Sequence, residues 1–319
     1  MEVFEKFSKL IEKYKNSVYA IGNFDGLHLG HKALIDQALS ISKKSNNYLG
    51  VLTFDPHPMQ YFNPNQPKFR ITPVNKKLQI LEKWGIDFVV DIKFDDGLAQ
   101  TSPEKFIEIH LQKNLGASHI VVGHDFAFGH KRSGNINMLK EFGVKLNFRV
   151  SVVSPQMNKS GSLFSSRAIR ELLKSGNPRD AAIALGRWWT VEGVVEHGEK
   201  RGRKLGYPTI NINLGEYLEP SLGIYAVWVR IKNTDKWLKG AASLGFRPTF
   251  EGASVLLEVH LLNFEGVLYG KHVEVAFMEY LRPEEKFINI DSLKIQMAND
   301  CDDSLKLLDS KDYSIDYFD

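Results

Sequence analysis

The sequence carries one cysteine, Cys301, in 319 residues. A lone thiol excludes an intrachain disulfide and a cysteine-cluster metal site. It fits a reducing compartment, so a cytoplasmic location is expected. Long apolar runs are missing too. None approaches the roughly 18 residues that cross a bilayer, so no membrane partner is expected. The opening Met-Glu-Val-Phe-Glu-Lys-Phe has acids and no apolar stretch, which predicts no signal peptide there. Excess charge is absent, because 41 Lys and Arg against 38 Asp and Glu give a formal net charge of +3. That is too little to indicate nucleic acid, yet it allows local basic patches for a small anion. Tandem repeats and low-complexity tracts are absent as well, and nothing implies an obligate protein partner. The remainder is ordinary for a globular enzyme, 43% hydrophobic and 25% charged. A chain of this length exceeds the usual single core, so two domains are expected.

Residues 19 to 31 read Tyr-Ala-Ile-Gly-Asn-Phe-Asp-Gly-Leu-His-Leu-Gly-His. An apolar strand runs into a glycine-containing turn, and His28 and His31 follow where a helix should begin. Three apart on a helix, they share a face. A helix N-terminus attracts phosphate through its free N–H groups and its macrodipole. Two imidazoles beside it suit a phosphate-bearing substrate and its transition state. A lone His-x-x-His pair is a weak signal, whereas the whole strand, Gly-x-Phe-Asp-Gly-x-His-x-Gly-His and helix unit points to nucleotide chemistry. The competing reading is a glycine-rich turn with surface histidines.

The first half alternates strands (17–22, 48–54, 88–92, 120–122, 150–153) with helices (30–44, 76–84, 103–113). This order predicts a doubly wound parallel sheet with right-handed crossovers. Ligands of such sheets bind beyond the carboxyl ends of strands. Three motif-bearing loops lie there: Asn23–His31, Asp55–Pro58 and Gly123–Gly134. After a helix at Ser166–Lys174 and a short one at Asp180–Leu185 the pattern changes. Thr190–Glu196, Ile224–Ile231, Ala241–Leu244, Val255–Leu262 and Val273–Met278 alternate with period two. They predict an antiparallel closed barrel, followed by an amphipathic helix over 291–308 and a loose polar tail. The domain boundary is expected near Gly186–Trp188, giving domains 1–186 and 187–319.

The motifs occur in one order: Gly22-Asn-Phe-Asp-Gly-Leu-His-Leu-Gly-His31, Thr53-Phe-Asp-Pro-His-Pro58, Val122-Gly-His-Asp-Phe-Ala-Phe-Gly129, Ser165-Ser-Arg-Ala-Ile-Arg170, Gly198-Glu-Lys-Arg-Gly-Arg-Lys-Leu-Gly-Tyr-Pro-Thr-Ile-Asn211, Gly245-Phe-Arg-Pro-Thr-Phe250, Leu257-Glu-Val-His-Leu261 and Leu281-Arg-Pro-Glu-Glu-Lys-Phe287. Together they resemble the bacterial bifunctional riboflavin kinase/FMN adenylyltransferase family, the prokaryotic FAD synthetases, over nearly the whole chain. The resemblance implies a nucleotidyltransferase domain that moves AMP from ATP to FMN, giving FAD and pyrophosphate. It also implies a C-terminal riboflavin kinase barrel that moves the γ-phosphoryl of ATP to riboflavin. ATP, riboflavin, FMN and FAD are then the small-molecule partners, flavins being substrates and products, and Mg²⁺ accompanies ATP.

On that reading His28 and His31 donate to phosphate oxygens, because adenylyl transfer depends on positioning and charge stabilisation. Gly22, Asn23, Phe24 and Gly30 border the ATP, where glycines let a nucleotide approach the backbone. Asp25 could orient the turn or a histidine, or form an Asx-turn. Ser165, Ser166 and Arg170 suit ATP phosphates, with a plain N-cap or a solvated arginine as alternatives. In the Gly123–Gly134 loop, Asp125 is a polar anchor for the flavin, and Phe126 and Phe128 either stack on it or belong to the core. Lys131 or Arg132 could meet the FMN phosphate. His57 either lines the site or shapes a turn.

In the barrel, Gly198, Gly202 and Gly206 space a basic loop with Lys200 and Arg203 that suits a triphosphate, unless it is merely solvated. Thr209 and Asn211 point the same way in extended chain and make reasonable Mg²⁺ ligands. Glu258 is the candidate base for the riboflavin 5′-hydroxyl, against a solvent-facing strand acid. Arg247 and Arg282 are expected near the flavin. Arg167, Ala127 and Ser243 depart from the family's usual Thr, Arg and Asn. The alternative is therefore that one activity is retained and the other domain only binds.

Overall fold

The computed structural model describes residues 1–7, 12–158, 161–198, 202, 205–249 and 252–318, the side chains of 247–249 and 252–254 excepted. Contacts divide the chain into two units, Met1–Pro67 with Thr72–Phe164 and Lys68–Ile71 with Ser165–Asp319.

Six parallel strands build the first unit: β1 (Glu2–Phe4), β2 (Val18–Ile21), β3 (Leu49–Asp55), β4 (Phe88–Lys93), β5 (His119–Gly123) and β6 (Arg149–Val153), in the order β1-β4-β3-β2-β5-β6. The helices are α1 (Leu29–Ser45), α2 (Pro58–Phe62), α3 (Val74–Lys83), α4 (Asp96–Ala99), α5 (Pro103–Lys105) and α6 (Ile136–Leu146). A π-wound stretch, Phe106–Asn114, continues α5. All four residues of β2 are buried. Val18 and Ala20 pack with Ile35, Val51 and Val121 on one face, while Tyr19 and Ile21 pack with Phe88, Phe106 and Ile120 on the other. A strand covered on both sides needs an unbroken apolar run, which is what marks it in the sequence. From β2 the chain steps outward to β3 and β4, then crosses back to β5. That reversal opens a crevice beyond the carboxyl end of β2.

The second unit opens with α7 (Ser166–Lys174) and α8 (Pro178–Leu185). A closed barrel follows, formed by β7 (Trp189–Glu196), β8 (Thr209–Asn213), β9 (Gly223–Ile231), β10 (Trp237–Thr249), β11 (Gly252–Leu261) and β12 (His272–Arg282). Its strand order is β10-β11-β8-β7-β12-β9, with antiparallel neighbours. Val195, Ile212, Val229, Leu257, Val259 and Phe277 are buried along it. Outside, Ala182, Trp188, Ala226, Ala276, Met278 and Leu308 cluster where α8 and α9 (Ile290–Leu308) meet the barrel. Because α8 packs into that cluster, Gly186, the expected domain boundary, lies inside this compact unit. Residues Lys68–Ile71 also pack here: Leu218 N–H donates to Arg70 O at 2.8 Å, and Trp189 Nε1–H to Ile71 O at 3.0 Å.

The parallel sheet, the closed barrel and the final helix follow the sequence expectation. β1, α2, α4, α6 and β8 had no part in it. β1 has only three residues, α6 contains Gly143, and β8 was read as extended chain rather than as the barrel's sixth strand. The tail is not loose. Trp188 Nε1–H donates to Ser314 O at 2.9 Å, Trp228 Nε1–H to Tyr313 O at 3.0 Å, and Arg179 lies 4.6 Å from the Tyr313 ring. Few but large apolar groups, Tyr313, Ile315 and Phe318, outweigh its polar majority.

Gly50 pairs with Phe88 across β3 and β4. A Cβ there would lie 2.4 Å from Phe88 Cζ and 2.9 Å from Tyr19 Cε1. Gly50→Ala is therefore expected to destabilise the first unit by about 1–3 kcal/mol through overpacking. Urea unfolding followed by circular dichroism measures this, and an unchanged midpoint would contradict the packing.

Candidate active sites

The turn after β2 occupies the crevice of the first unit. Three of its residues lie in left-handed backbone: Phe24 at φ 52°, Gly26 at 85° and Leu27 at 45°. Phe24 and Leu27 are fully buried and anchor the turn from beneath. Asp25, 5% exposed, accepts the Thr72 N–H at 3.0 Å. Asp25 therefore shapes the turn through that N–H. Asn23 O accepts the Thr53 hydroxyl at 3.2 Å.

His28 is the N-cap of α1, its Nδ1 accepting the His31 N–H at 3.3 Å. An Nδ1 that accepts leaves Nε2 as the protonated nitrogen of the neutral ring. The two rings stack with centroids 3.8 Å apart and planes 21° apart. The first turn of α1 contains no acid, so the helix dipole is not opposed. Gly30 is needed for this packing. A Cβ on it would come within 3.0 Å of the His28 ring and 3.2 Å of Phe164 O. At Gly22 a Cβ would lie 3.3 Å from the Phe24 ring.

The Gly123–Gly134 loop is pinned by mutual hydrogen bonds between Phe128 and Gly134, at 3.1 and 2.9 Å. Phe128 is 6% exposed and packs on Phe106 as core. Phe126 stacks on Phe128 at 5.4 Å and is half-buried, whereas Asp125, Lys131 and Arg132 are exposed. His57 caps α2 by accepting the Met59 N–H at 3.0 Å, the turn-shaping alternative.

Ser165, Ser166 and Arg170 belong to the second compact unit. Ser165 caps α7, accepting the Ala168 N–H at 3.1 Å. Arg170 donates from Nε to Phe69 O at 2.8 Å and lies 5.1 Å from the Phe69 ring. Arg167 is exposed and pairs with Glu171 at 3.0 Å.

On the barrel, Asn211 of β8 stands opposite Glu258 of β11 on one side and Glu196 of β7 on the other. Thr209 stands opposite His260. Cross-strand partners share a face, with Cβ atoms about 5 Å apart. Leu257 and Val259 alternate inward, so Glu258 and Asn211 occupy the outer face. Asn211 is 5% exposed, and its Oδ1 is buried with no hydrogen-bond partner among the described residues. Such an atom carries a desolvation penalty until something fills its lone pairs. Glycine lies directly over these groups. A Cβ on Gly198 would meet Asn211 Nδ2 at 2.2 Å, and one on Gly202 would meet Tyr207 O at 2.3 Å and Thr209 Oγ1 at 3.5 Å. Gly206 needs its φ of 93°. Lys200 and Arg203 lie outside the described residues, as does the side chain of Arg247, whose backbone runs in β10.

Arg282 donates from Nε and Nη2 to the two carboxylate oxygens of Asp300, both at 2.7 Å, tying β12 to α9. That carboxylate holds the Arg282 guanidinium charged above its ordinary range. Two groups escaped the sequence reading. Glu196 faces Asn211, and a cleft beside Thr209 is lined by Pro208, Phe264, Val267 and Tyr269. Tyr269 stacks on His197 at 4.0 Å. The register of β8 was the missing signal for Glu196. For the cleft it was the unexplained apolar residues in the turn Phe264–Tyr269.

The FAD synthetase family model matches residues 10–168, and the riboflavin kinase family model matches residues 185–308. A bifunctional riboflavin kinase/FMN adenylyltransferase of Buchnera aphidicola subsp. Schizaphis graminum is 39% identical over 288 residues, 89% of this chain and 92% of that protein. The protein of the same name from Escherichia coli strain K12 is 36% identical over 283 residues, 89% of this chain and 90% of its own length. Among solved structures, one titled a macrolide-efflux protein from Streptococcus pneumoniae superposes with a TM-score of 0.85 at 28% identity. It covers 95% of this chain and 98% of that one. Among the described residues no helix of this chain is long and apolar enough to cross a membrane. Matched by both family models and over most of the length of such relatives, the chain belongs to the bifunctional riboflavin kinase/FMN adenylyltransferase family.

Proposed function

We propose that the chain makes FAD from riboflavin in two ATP-dependent transfers, with the adenylyltransferase in residues 1–186 and the kinase in residues 187–319. One observation carries the reading: two phosphate-suited sites of different construction stand in one chain. The first is a histidine-capped helix start, and the second a glycine-covered Asn211 beside Glu258.

In the kinase step Glu258 takes the proton of the riboflavin 5′-hydroxyl. The freed oxygen bonds to the γ-phosphorus of ATP, the bond to the β–γ bridging oxygen breaks, and ADP leaves with that electron pair. Gly198, Gly202 and Gly206 bring backbone close to the phosphates, with Lys200 and Arg203 adding charge. The cleft of Phe264, Val267 and Tyr269 offers apolar walls for a planar ring. Arg247 and Arg282 are assigned to the flavin end.

In the adenylyl step a phosphate oxygen of FMN attacks the α-phosphorus of a second ATP, and pyrophosphate departs. FMN phosphate is already ionised, so positioning and charge stabilisation carry the step rather than a base. His28, through Nε2–H, and His31 donate to the phosphate oxygens. Gly22, Asn23, Phe24 and Gly30 border the nucleotide, with Asp125 and Phe126 toward the flavin. Phe128 contributes through the core beneath Phe126. Ser165, Ser166 and Arg170 are assigned to ATP phosphates on their chemistry and motif.

The barrel's residues fit Mg²⁺. Among the described residues no group of three His, Cys, Asp or Glu could hold a metal. The hard oxygen donors Thr209 Oγ1 and Asn211 Oδ1, the latter without a partner among the described residues, suit an ion that keeps most of its waters and its phosphates. Bound with ATP, Mg²⁺ neutralises charge on the phosphate oxygens. The single cysteine supports a cytoplasmic setting.

Chromatography of products from pure protein, riboflavin, ATP and Mg²⁺ tests the reading. FMN, FAD, ADP and pyrophosphate are expected, and a protein that leaves added FMN unconverted has only the kinase. Glu258→Ala is expected to lower FMN formation by about 10²–10⁴-fold while added FMN still becomes FAD. His28→Ala is expected to do the reverse, lowering FAD formation by about 10²–10³-fold with the kinase intact. If either change removes both activities from a folded protein, the two-site reading fails. Chelation of divalent metal by EDTA is expected to stop both transfers, and its reversal by added Mg²⁺ is the check.

A further inference from the structure

Lys77, in the second turn of α3, is 4% exposed. Lysine is almost never buried this far without paired groups, because removing an ammonium from water costs several kcal/mol. Its Nζ lies 3.1 Å from Thr53 Oγ1 and 3.8 Å from Asp91 Oδ1. The hydroxyl contact is at hydrogen-bond length, and the carboxylate contact is well beyond the usual 2.7–2.9 Å of a charge-assisted bond. Thr53 is fully buried and its hydroxyl points at Asn23 O, 3.2 Å away. Lysine is a donor only and a carbonyl an acceptor only, so the polarity is fixed. Lys77 donates to Thr53, and Thr53 donates its one proton to Asn23. This relay has a single direction and ends on the first residue of the turn that leads to His28.

The turn needs such support. Phe24 and Leu27 are non-glycine residues at positive φ, each costing of order 1–3 kcal/mol and persisting only where the surroundings over-determine them. The segment leading through α3 grips the turn at Asp25 through the Thr72 N–H and at Asn23 through Lys77 and Thr53. Between those grips and α1 stands His28, whose ring accepts the 3.3 Å cap bond and stacks on His31.

We propose that Lys77 is a positioning residue for adenylyl transfer, acting through Thr53 on Asn23 to fix the turn that delivers His28 to the nucleotide. The proposal rests on the adenylyl-transfer reading of this site. Lys77 touches no reacting atom. Its loss misplaces a group that must be aligned in the transition state, so it lowers kcat and leaves ATP affinity nearly unchanged.

The test uses the full chain with Lys77→Met, Thr53→Val and the double variant. Each single change is expected to lower kcat for FAD formation from FMN about tenfold to hundredfold, with KM for ATP within about twofold of wild type. The double variant is expected to lose no more than about threefold beyond the weaker single, because one relay is broken twice. Riboflavin phosphorylation in the same samples stays at the wild-type rate. Should Lys77→Met fail to fold, the near-isosteric Thr53→Val carries the test. Amide hydrogen exchange reads the turn without catalysis: the His31 and Thr72 N–H groups are expected to exchange at least about tenfold faster in Thr53→Val. A folded variant with wild-type kcat, a rise in KM at unchanged kcat, losses that multiply, or unchanged exchange at both amides would each overturn the proposal. Wild-type protein that makes no FAD would overturn the adenylyl reading instead, and the exchange rates would still decide whether the relay holds the turn.

Discussion

The first unit depends on one constraint, that a turn with three left-handed residues must stay fixed at the carboxyl end of a central strand. Such a turn is unfavourable alone. It persists because apolar side chains and polar backbone are secured by different means. Phe24 and Leu27 sink into the layer formed by Ile35, Val51 and Val121, while Asn23 O and the Asp25 carboxylate take donors from β3 and from the approach to α3. Only then do the His31 N–H and the His28 imidazole meet in a cap. Ordinary helices use Ser, Thr, Asp or Asn at this position. An imidazole caps through one nitrogen and keeps a second for a ligand, which a hydroxyl or carboxylate cap does less directly.

The two candidate sites are built by different physics. In the first, the N–H groups of α1 and its unopposed dipole favour negative charge, and glycine is needed chiefly so that His28 can lie over Gly30. In the second, the candidate groups stand on adjacent barrel strands, Asn211 opposite Glu258. Glycines lie so close to Asn211 and Tyr207 that any side chain would collide, leaving backbone N–H groups as the available donors. The buried amide oxygen of Asn211 has no protein partner among the described residues.

Legibility in the sequence followed the strength of the periodic signal. The strands of the parallel sheet are buried on both faces and read as apolar runs, and the barrel strands alternate, so both architectures were plain. The histidine pair was plain because spacing and helix start coincide. Register was not. That Asn211 stands opposite both Glu258 and Glu196 follows from how β8 inserts between β7 and β11, a long-range choice that no local pattern encodes. Side-chain commitments were also hidden. Arg282 was expected near the flavin, and nothing local shows that Asp300, eighteen residues on, accepts from its Nε and Nη2. Phe126 and Phe128 look alike in sequence, and only packing separates the buried one from the half-buried one. The tail was misread because polar residues were counted while the aromatic anchors Tyr313 and Phe318 do the packing.

The barrel's chemistry stands on its outside for a reason of size. A closed barrel of six strands has no room for a ligand within, since even eight strands enclose a space that side chains fill. Leu257, Val259, Ile212 and Val229 occupy that interior here. A reacting group must therefore sit on the outer face, where water would screen it unless another segment covers it. Gly198 and Gly202 approach that face, Gly198 lying against the Asn211 amide and Gly202 against Tyr207 O. The close approach leaves no room for a side chain, so one added at Gly198 would displace Asn211 from its place beside Glu258.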